Sequence, residues 1–594
     1  VALVCHPDDE RYRRSVGQHA TTPVFGATVP ILAHPLADPD KGTGLVMVCT
    51  FGDLTDVTWW RDLRLDTRVI IGKDGRLLAD PPHAVDPAAY HALAGLSVTQ
   101  ARAEVVQRLR AADALVGTPR EIVHPVKFYE KGDAPLEIVS SRQWYLRNGG
   151  RDEHLRSELL ALGRDLHWVP DHMRHRYEHW VGGLTGDWLI SRQRFFGVPF
   201  PVWYPLDEHG QPDYRNPITA AEDLLPVDPS SDVPTGYTEA QRGQPGGFIG
   251  DPDVMDTWAT SSLSPQIVGG WERDPDLFGR VFPMDLRPQA HEIIRTWLFG
   301  SIVRSRAEHG VLPWRTAVVS GWILDPDRKK MSKSKGNTMT PADLLDRYGS
   351  DAVRYWAAGG RPGVDLTFDE SQLKVGRRLA TKLLNASKFV LRFGGDPDPA
   401  AVRDAVDRAM LARLTTVVEA ATAALTGYDH TGALTATESF FWAFCDDYIE
   451  LVKERAYGQG PAADSARSAL ALALDVQLRL FAPFLPFVTE EVWSWWRDGS
   501  VHRAPWPSVD ELRPAAGDSG LFELASGALA QIRRAKSERS LSMRAEVTSA
   551  TVHGPAEALD QLALAAADLR AAGRIATLEL TANGAEAVTL SCVF

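Results

Sequence analysis

Cysteine is scarce and scattered here. Cys5, Cys49, Cys445 and Cys592 are the four in 594 residues, and no two stand close enough for a CxxC pair, which excludes a zinc knuckle of that type and a disulfide framework. Free thiols are expected. Also missing is any uninterrupted apolar run of the roughly 18 residues a membrane-spanning helix needs, and no basic region followed by an apolar stretch opens the chain. No membrane partner is expected, and the expected compartment is the cytoplasm. Positive charge is in deficit, with a net charge of −13; this excludes indiscriminate coating of nucleic acid but leaves room for a local basic track that reads one RNA. No internal repeat is found. The chain enters a strand-like run, Val1 to Cys5, at once and reads as a fragment.

With 44% hydrophobic and 24% charged residues, the composition is that of a globular protein with a sizeable core. A prior of about 150 residues per domain suggests about four domains. Residues 1 to 135 carry short β-branched runs, such as Thr28 to Leu32 and Gly44 to Cys49, between Pro, Gly and Asp, which suits a β-rich domain. From 136 to 375 strand candidates alternate with helical segments, Val198 to Tyr204 and His291 to Arg306 among them, giving an α/β domain. The stretch Leu206 to Gly250 reads as an insertion or loop. From 376 to 514 apolar residues keep helical spacing: Leu411, Leu414, Val418, Ala421 and Leu425; Phe441, Phe444, Tyr448 and Val452. A further helix from Ser465 stops near Pro483 and Pro486, before one carrying Trp493, Trp495 and Trp496, whose rings are expected in the core. Residues 515 to 594 suit a small mixed domain.

One run carries chemistry in its composition. Lys330-Met331-Ser332-Lys333-Ser334, followed by Lys335-Gly336-Asn337, places mobile ammonium groups and small donors on a loop, where they can follow negative charge onto a departing pyrophosphate. A lysine-rich run taken alone is usually a solvated loop. Its five positions, however, resemble the KMSKS signature of class I aminoacyl-tRNA synthetases, and Gly321-Trp322-Ile323 and Thr340 to Asp343 fit the same family.

That resemblance extends upstream. Asp187 to Arg194 resembles the DWxISRQR segment of the valyl, isoleucyl and leucyl synthetases; Phe195 and Phe196, which follow it, would wall a pocket for a branched aliphatic side chain. Asp253 to Trp258 resembles DVLDTW, which flanks the amino-acid pocket and implicates Asp256 and Trp258; its plainer reading is a capped helix start. Gln289 to Trp297 resembles the segment that grips the nucleotide ribose, with His291 and Glu292 as polar contacts, although Ala290 and Glu292 depart from the family's Gly-x-Asp. Segments from Asp351 to Leu391 and from Ala482 to Glu491 resemble the valyl branch more than its neighbours.

The implied fold is a partial Rossmann-like catalytic domain with an inserted β-rich editing domain and an all-α anticodon-binding bundle. The implied ligands are ATP, with Mg²⁺ carried on it, valine and tRNA(Val), and the implied state is a monomer. Lys333 would be the principal phosphate lysine, Lys330 its assistant, with Met331, Ser332 and Ser334 completing the ATP loop. No metal ligand set is expected: His172, His175 and His179 share a helix face but lack a completing carboxylate or thiol. His172-Met173-Arg174-His175 does not supply the family's His-x-Gly-His, so the front half of the ATP site is expected outside this sequence and the fragment alone is expected to be inactive in adenylation.

A pocket shaped for valine also holds threonine, which has nearly the same shape; the valine enzymes are the standing case of this limit. A second, hydrolytic site is therefore implied. Gly42 to Met47 and Asp53 to Asp56 resemble the GTG…DxxD stretch of that editing domain. Asp56 would hold the substrate ammonium, and Asp53 the water or terminal ribose. Met47, Gly52 and Lys41 replace the family's lysine, histidine and aromatic residue. Arg533, Arg534, Lys536, Arg539 and Arg544 could touch tRNA phosphates or form a solvated helix face. Two alternatives stay open: a tRNA-binding or editing protein without ligase activity, and the isoleucyl branch.

Overall fold

β-branched residues open the chain, and in the computed structural model Ala2–Cys5 (β1) takes an inner place in a four-stranded sheet. The structure describes residues 1–49, 51, 54–119, 128, 136–331, 340–394, 396–583 and 587–594. His19–Thr21 (β2) is an edge strand on Thr28–Ala33 (β3); β3 runs parallel to β1, and Leu45–Val48 (β4) runs antiparallel to β1 on its other side. Helix α1, Leu54–Asp62, buries Trp59 against Ala2, Val4 and Val48. Helix α2, Val98–Ala111, starts at a Ser97–Gln100 capping box, which satisfies N–H groups that a helix start leaves unpaired. These elements belong to a unit that closes at Trp144; residues Tyr145–Phe594 form a second unit.

In the second unit, helix α3 (Glu153–Asp165) leads into β5 (His167–Val169). Two short strands, β6 (Ser191–Arg192) and β7 (Val254–Met255), pair antiparallel and precede the short helix α4 (Thr257–Ser261). Between them, Val202–Pro205, in the stretch expected as a strand, pairs antiparallel with Ile218–Thr219 and Phe248–Gly250, both inside the segment expected as an insertion or loop. Trp203 and Phe248 are buried in this small sheet. Then β8 (Met284–Ala290), α5 (Phe299–His309) and β9 (Trp314–Ser320) form a parallel β-α-β unit, with β9 lying between β8 and β5. Leu159, Tyr177, Ile294, Leu298, Ile302 and Trp314 fill the adjoining core; each such side chain contributes about 1.5–3 kcal/mol when fully buried. Strand β10 (Ile323–Leu324) pairs in parallel with β11 (Leu366–Thr367).

Long helices follow: α6 (Glu370–Leu391), α7 (Ala405–Thr426), α8 (His430–Ala443), α9 (Ile449–Tyr457), α10 (Pro461–Phe481) and α11 (Pro486–Trp493). The last of these ends before Trp495, which is 39% exposed, whereas Trp493 is buried. By length and composition α7 could cross a membrane; it instead buries Met410, Leu414 and Val418 in the bundle. Helix α12 (Gly520–Glu538) and strands β12 (Val547–Gly554), β13 (Ile575–Ala582) and β14 (Thr589–Val593) complete the chain, with β12 in the middle. One hydrophobic core runs from Leu379 through Leu470 and Leu529 to Ile575, so bundle and tail share an interior. A buried ion network crosses it. Arg455 donates to Asp407 at 2.7 Å and to Asp568 at 2.8 Å, and Asp407 also accepts from Tyr448 Oη and Ser465 Oγ. All four cysteines are free.

Candidate active site

Parallel strands expose their last carbonyls at one end, where open α/β sheets receive ligands. Here β8 ends at Ala290 and runs straight into the turn His291–Ile293. Strand β9 ends at Ser320 and is followed by Gly321 and Trp322. Gly321 has no room for a side chain: a Cβ there would lie 2.3 Å from the Val364 carbonyl oxygen and 2.5 Å from the Asp365 nitrogen. This close approach lets the Trp322 amide donate to Asp365 Oδ1 at 2.8 Å and aligns β10 with β11.

The turn after β10 is local chemistry. The Asp325 carboxylate accepts from the Lys329 amide at 2.7 Å, Arg328 takes φ +61°, and Lys330 bridges back to Leu324. Lys330 is thereby aimed at Glu292. Its ammonium donates to Glu292 Oε2 at 2.6 Å, lies 4.4 Å from the Trp322 ring centroid, and shares that carboxylate oxygen with the Trp322 indole N–H at 2.9 Å. The His291 ring packs 4.6 Å from Trp322. Met331 rests on a small cluster of Leu344, Trp356, Phe368 and Leu373, which fixes the start of the lysine-rich run. Ser332, Lys333 and Ser334 lie outside the described residues.

Charge in this cluster is set by its neighbours. The Lys330 ammonium holds Glu292 below the ordinary carboxylate range, with help from Trp322 and against the opposing effect of burial. Glu292 is therefore an acceptor at neutral pH, and its Oε2 is committed to Lys330 and Trp322. Burial, with the nearby Arg176 charge, pushes His291 down. Its Nδ1 has no hydrogen-bond partner among the described residues. Sequence reasoning gave no role to Trp322 or Asp365, although Gly321-Trp322 directly after a β-branched run was a usable signal. It also passed over Arg287, which is buried between Trp297 and Trp314 and pushed down to about 10 by burial.

The two upstream signatures meet in space. Arg192 pairs with Asp256 at 2.6 Å, and Gln193 donates to Asp253 Oδ2 at 2.9 Å. Asp256 also caps α4 by accepting from the Trp258 amide at 2.9 Å, so its carboxylate serves helix start and ion pair. Trp258 is 36% exposed. The expectation for Phe195 and Phe196 is not met by their placement: at 105% and 91% exposure they line no pocket here. They fall in the turn after β6, where Gly197 packs on Val254 so closely that a Cβ would lie 2.7 Å from its methyl. The two rings are left outside that contact.

In the first unit Asp56 is half-buried in the first turn of α1; Gly52 and Asp53 lie outside the described residues. Met47 is 52% exposed on β4. Gly44, at φ +78°, accommodates Arg11 and Asp9, which are themselves ion-paired at 2.7 Å. Burial raises the Cys49 thiol, and the Asp56 charge adds to this.

Known proteins resemble this chain along almost all of it. The family "tRNA synthetases class I (I, L, M and V)" matches residues 56–369, and the "Anticodon-binding domain of tRNA ligase" matches residues 407–552. A valine-tRNA ligase of Thermobifida fusca is 64% identical over 97% of this chain and 66% of its own length. One from Salinispora tropica is 62% identical over 96% of this chain and 70% of its own, and one from Cutibacterium acnes 56% over 98% and 68%. The chain belongs to the valine-tRNA ligase family of class I tRNA synthetases. It spans about two thirds of the length of these relatives.

The Lys330 cluster lies inside the class I match, and the shared core from Val417 to Val552 lies inside the anticodon-binding match. The basic stretch on and after α12 is not one face. Arg533 pairs with Asp447 and Arg534 with Glu538, while Lys536 is buried and donates to the carbonyls of Met543 and Gly573. His175 faces Glu178 at 3.3 Å, and no metal-binding cluster is found among the described residues.

Proposed function

We propose that the protein activates valine with ATP and transfers it to tRNA(Val), and that its first unit clears threonyl-tRNA(Val) by hydrolysis. A carboxylate oxygen of valine attacks the α-phosphorus of ATP, the bond to the oxygen bridging the α- and β-phosphates breaks, and pyrophosphate leaves; the tRNA terminal hydroxyl then attacks the valyl carbonyl of the adenylate, an ester forms, the bond from the carbonyl carbon to the phosphate oxygen breaks, and AMP leaves, with the hydroxyl proton given up to solvent. Catalysis is positioning plus electrostatic stabilisation. Lys330 and Lys333 neutralise the departing pyrophosphate, with Met331, Ser332 and Ser334 completing the loop. His291 and Glu292 lie at the ribose, and Arg192, through Asp256, sets Trp258 at the edge of the amino-acid pocket. Mg²⁺ arrives on ATP. Asp53 and Asp56 serve the hydrolytic site. The enzyme works as a cytoplasmic monomer.

One observation supports this most: the first lysine of the signature run stands on Glu292 and Trp322 at the carboxyl end of a parallel sheet. The test is valine-dependent ATP–pyrophosphate exchange by the full-length protein. Lys333→Ala should depress exchange at least a hundredfold while leaving tRNA binding unchanged; equal exchange would overturn the role of Lys333. Exchange driven by isoleucine rather than valine would move the protein to the neighbouring branch. Binding of tRNA with no exchange for either amino acid would make it a binding module.

A further inference from the structure

The first unit holds a histidine that its proposed chemistry does not use. His34 follows β3, and its backbone amide donates to the Cys5 carbonyl of β1 at 2.9 Å, so it is anchored to two parallel strands. Its ring is 13% exposed. Nδ1 accepts from the Trp59 indole N–H at 3.1 Å and from the Leu36 amide at 3.2 Å. An imidazole nitrogen with two donors aimed at it carries no proton, so the ring proton resides on Nε2. That nitrogen lies 3.5 Å from Asp62 Oδ2. A single ring thus ties the sheet to two residues of α1.

Residues three apart on a helix share a side. Asp56, Trp59 and Asp62 are spaced in this way along α1, so whatever fixes Trp59 and Asp62 also fixes the direction in which Asp56 points. Burial of Trp59 alone sets the depth of the helix; the bond that its indole N–H donates to His34, with the Asp62 carboxylate 3.5 Å from the other ring nitrogen, sets its rotation. A buried histidine is usually core filling, but here each ring nitrogen faces a residue of the one helix that carries Asp56. His34 is itself held by the strand pair, so through Trp59 the sheet is a reference for the rotation of α1.

We propose that His34 is a positioning residue of the threonine-clearing site, acting on Asp56 through the Trp59 hydrogen bond and the Asp62 contact; this rests on the hydrolytic role proposed above for Asp56. Displacement of a catalytic group by about 1 Å can cost on the order of a hundredfold in rate. His34→Leu in the full-length protein should therefore slow deacylation of threonyl-tRNA(Val) ten- to a hundredfold, with valine-dependent pyrophosphate exchange unchanged. His34→Asn should stay within about threefold of the parent, because its carbonyl oxygen stands near the place of Nδ1 and makes the same bond to the amide two residues on. Trp59→Phe keeps a buried ring but removes the donor, so its loss should not add to that of His34→Leu.

Full deacylation by His34→Leu, equal defects in His34→Asn and His34→Leu, or additive losses with Trp59→Phe would each overturn the proposal. Asp56→Ala separates the two levels. If Asp56→Ala loses deacylation while His34→Leu keeps it, only the positioning role fails; if Asp56→Ala deacylates as the parent does, the hydrolytic reading fails and takes this one with it.

Discussion

Gly321→Ala is the most economical perturbation of the Lys330 cluster, because it adds one carbon and no charge. The new Cβ would stand 2.3 Å from Val364 O, 2.4 Å from Val364 C and 2.5 Å from Asp365 N. Carbon and carbonyl oxygen meet at about 3.3–3.6 Å when in contact, so roughly 1 Å of separation has to be found. All three atoms are backbone, and no rotamer change can supply it. The strands β10 and β11 would have to part, breaking the Trp322 amide bond to Asp365 and shifting the indole that shares Glu292 with Lys330. Overpacking of this kind costs about 1–3 kcal/mol, and movement of the lysine by the same 1 Å should slow exchange ten- to a hundredfold. Gly279→Ala is the control: it lies inside the helix Pro275–Val281, where an added Cβ would meet nothing within 4 Å, and should be neutral or stabilising by up to about 1 kcal/mol. Denaturation midpoints and valine-dependent exchange would be measured for both in the full-length protein. If Gly321→Ala matched Gly279→Ala in both, the close approach would not be what holds the cluster together.

Two further outcomes are expected. His291 is held below the ordinary histidine value of about 6.5 by burial, so the unfolded chain takes up its proton first; its stabilising contribution is full above that value and is lost as pH falls from about 6.5 through the lower folded-state value. The denaturation midpoint of the parent should drop more steeply between pH 7 and 5 than that of His291→Gln, and parallel curves would count against the assignment. Arg455→Met leaves Asp407, whose side chain is 0% exposed, without its counter-charge, a loss of about 3–5 kcal/mol; a change below about 1 kcal/mol on chemical denaturation would show that the network carries little.

What local pattern could reveal was largely revealed. The helix read from Ser465 is observed as Pro461–Phe481, and the spaced apolar residues from Leu411 to Leu425 fall in Ala405–Thr426, because burial every 3.6 residues leaves a trace in sequence. The strand expected at Val198–Tyr204 appears as Val202–Pro205. The segment expected as a loop after it conceals Phe248–Gly250, since a three-residue strand among Pro and Gly has no period to show. Long-range partnership was equally hidden. Glu292 and Lys330 are 38 residues apart, and what joins them is the register of β8 on β9 and the turn at Asp325, neither of which a motif encodes. Lys536 stood in a run read either as a tRNA-phosphate contact or as a solvated helix face, yet its helix turns it inward to two carbonyls. Asp256 carries both signals: its carboxylate caps the helix, as the plainer reading had it, and also pairs with Arg192 of the upstream signature, which the motif does not encode.

The interior that continues from Leu379 to Ile575 changes how variation in the C-terminal strands and helices should be interpreted. A methyl group lost at Leu562 or Val552 loosens the same packed volume that Leu414 and Leu470 occupy, so its effect cannot stay in the tail. Substitutions there would act on how much folded protein a cell retains.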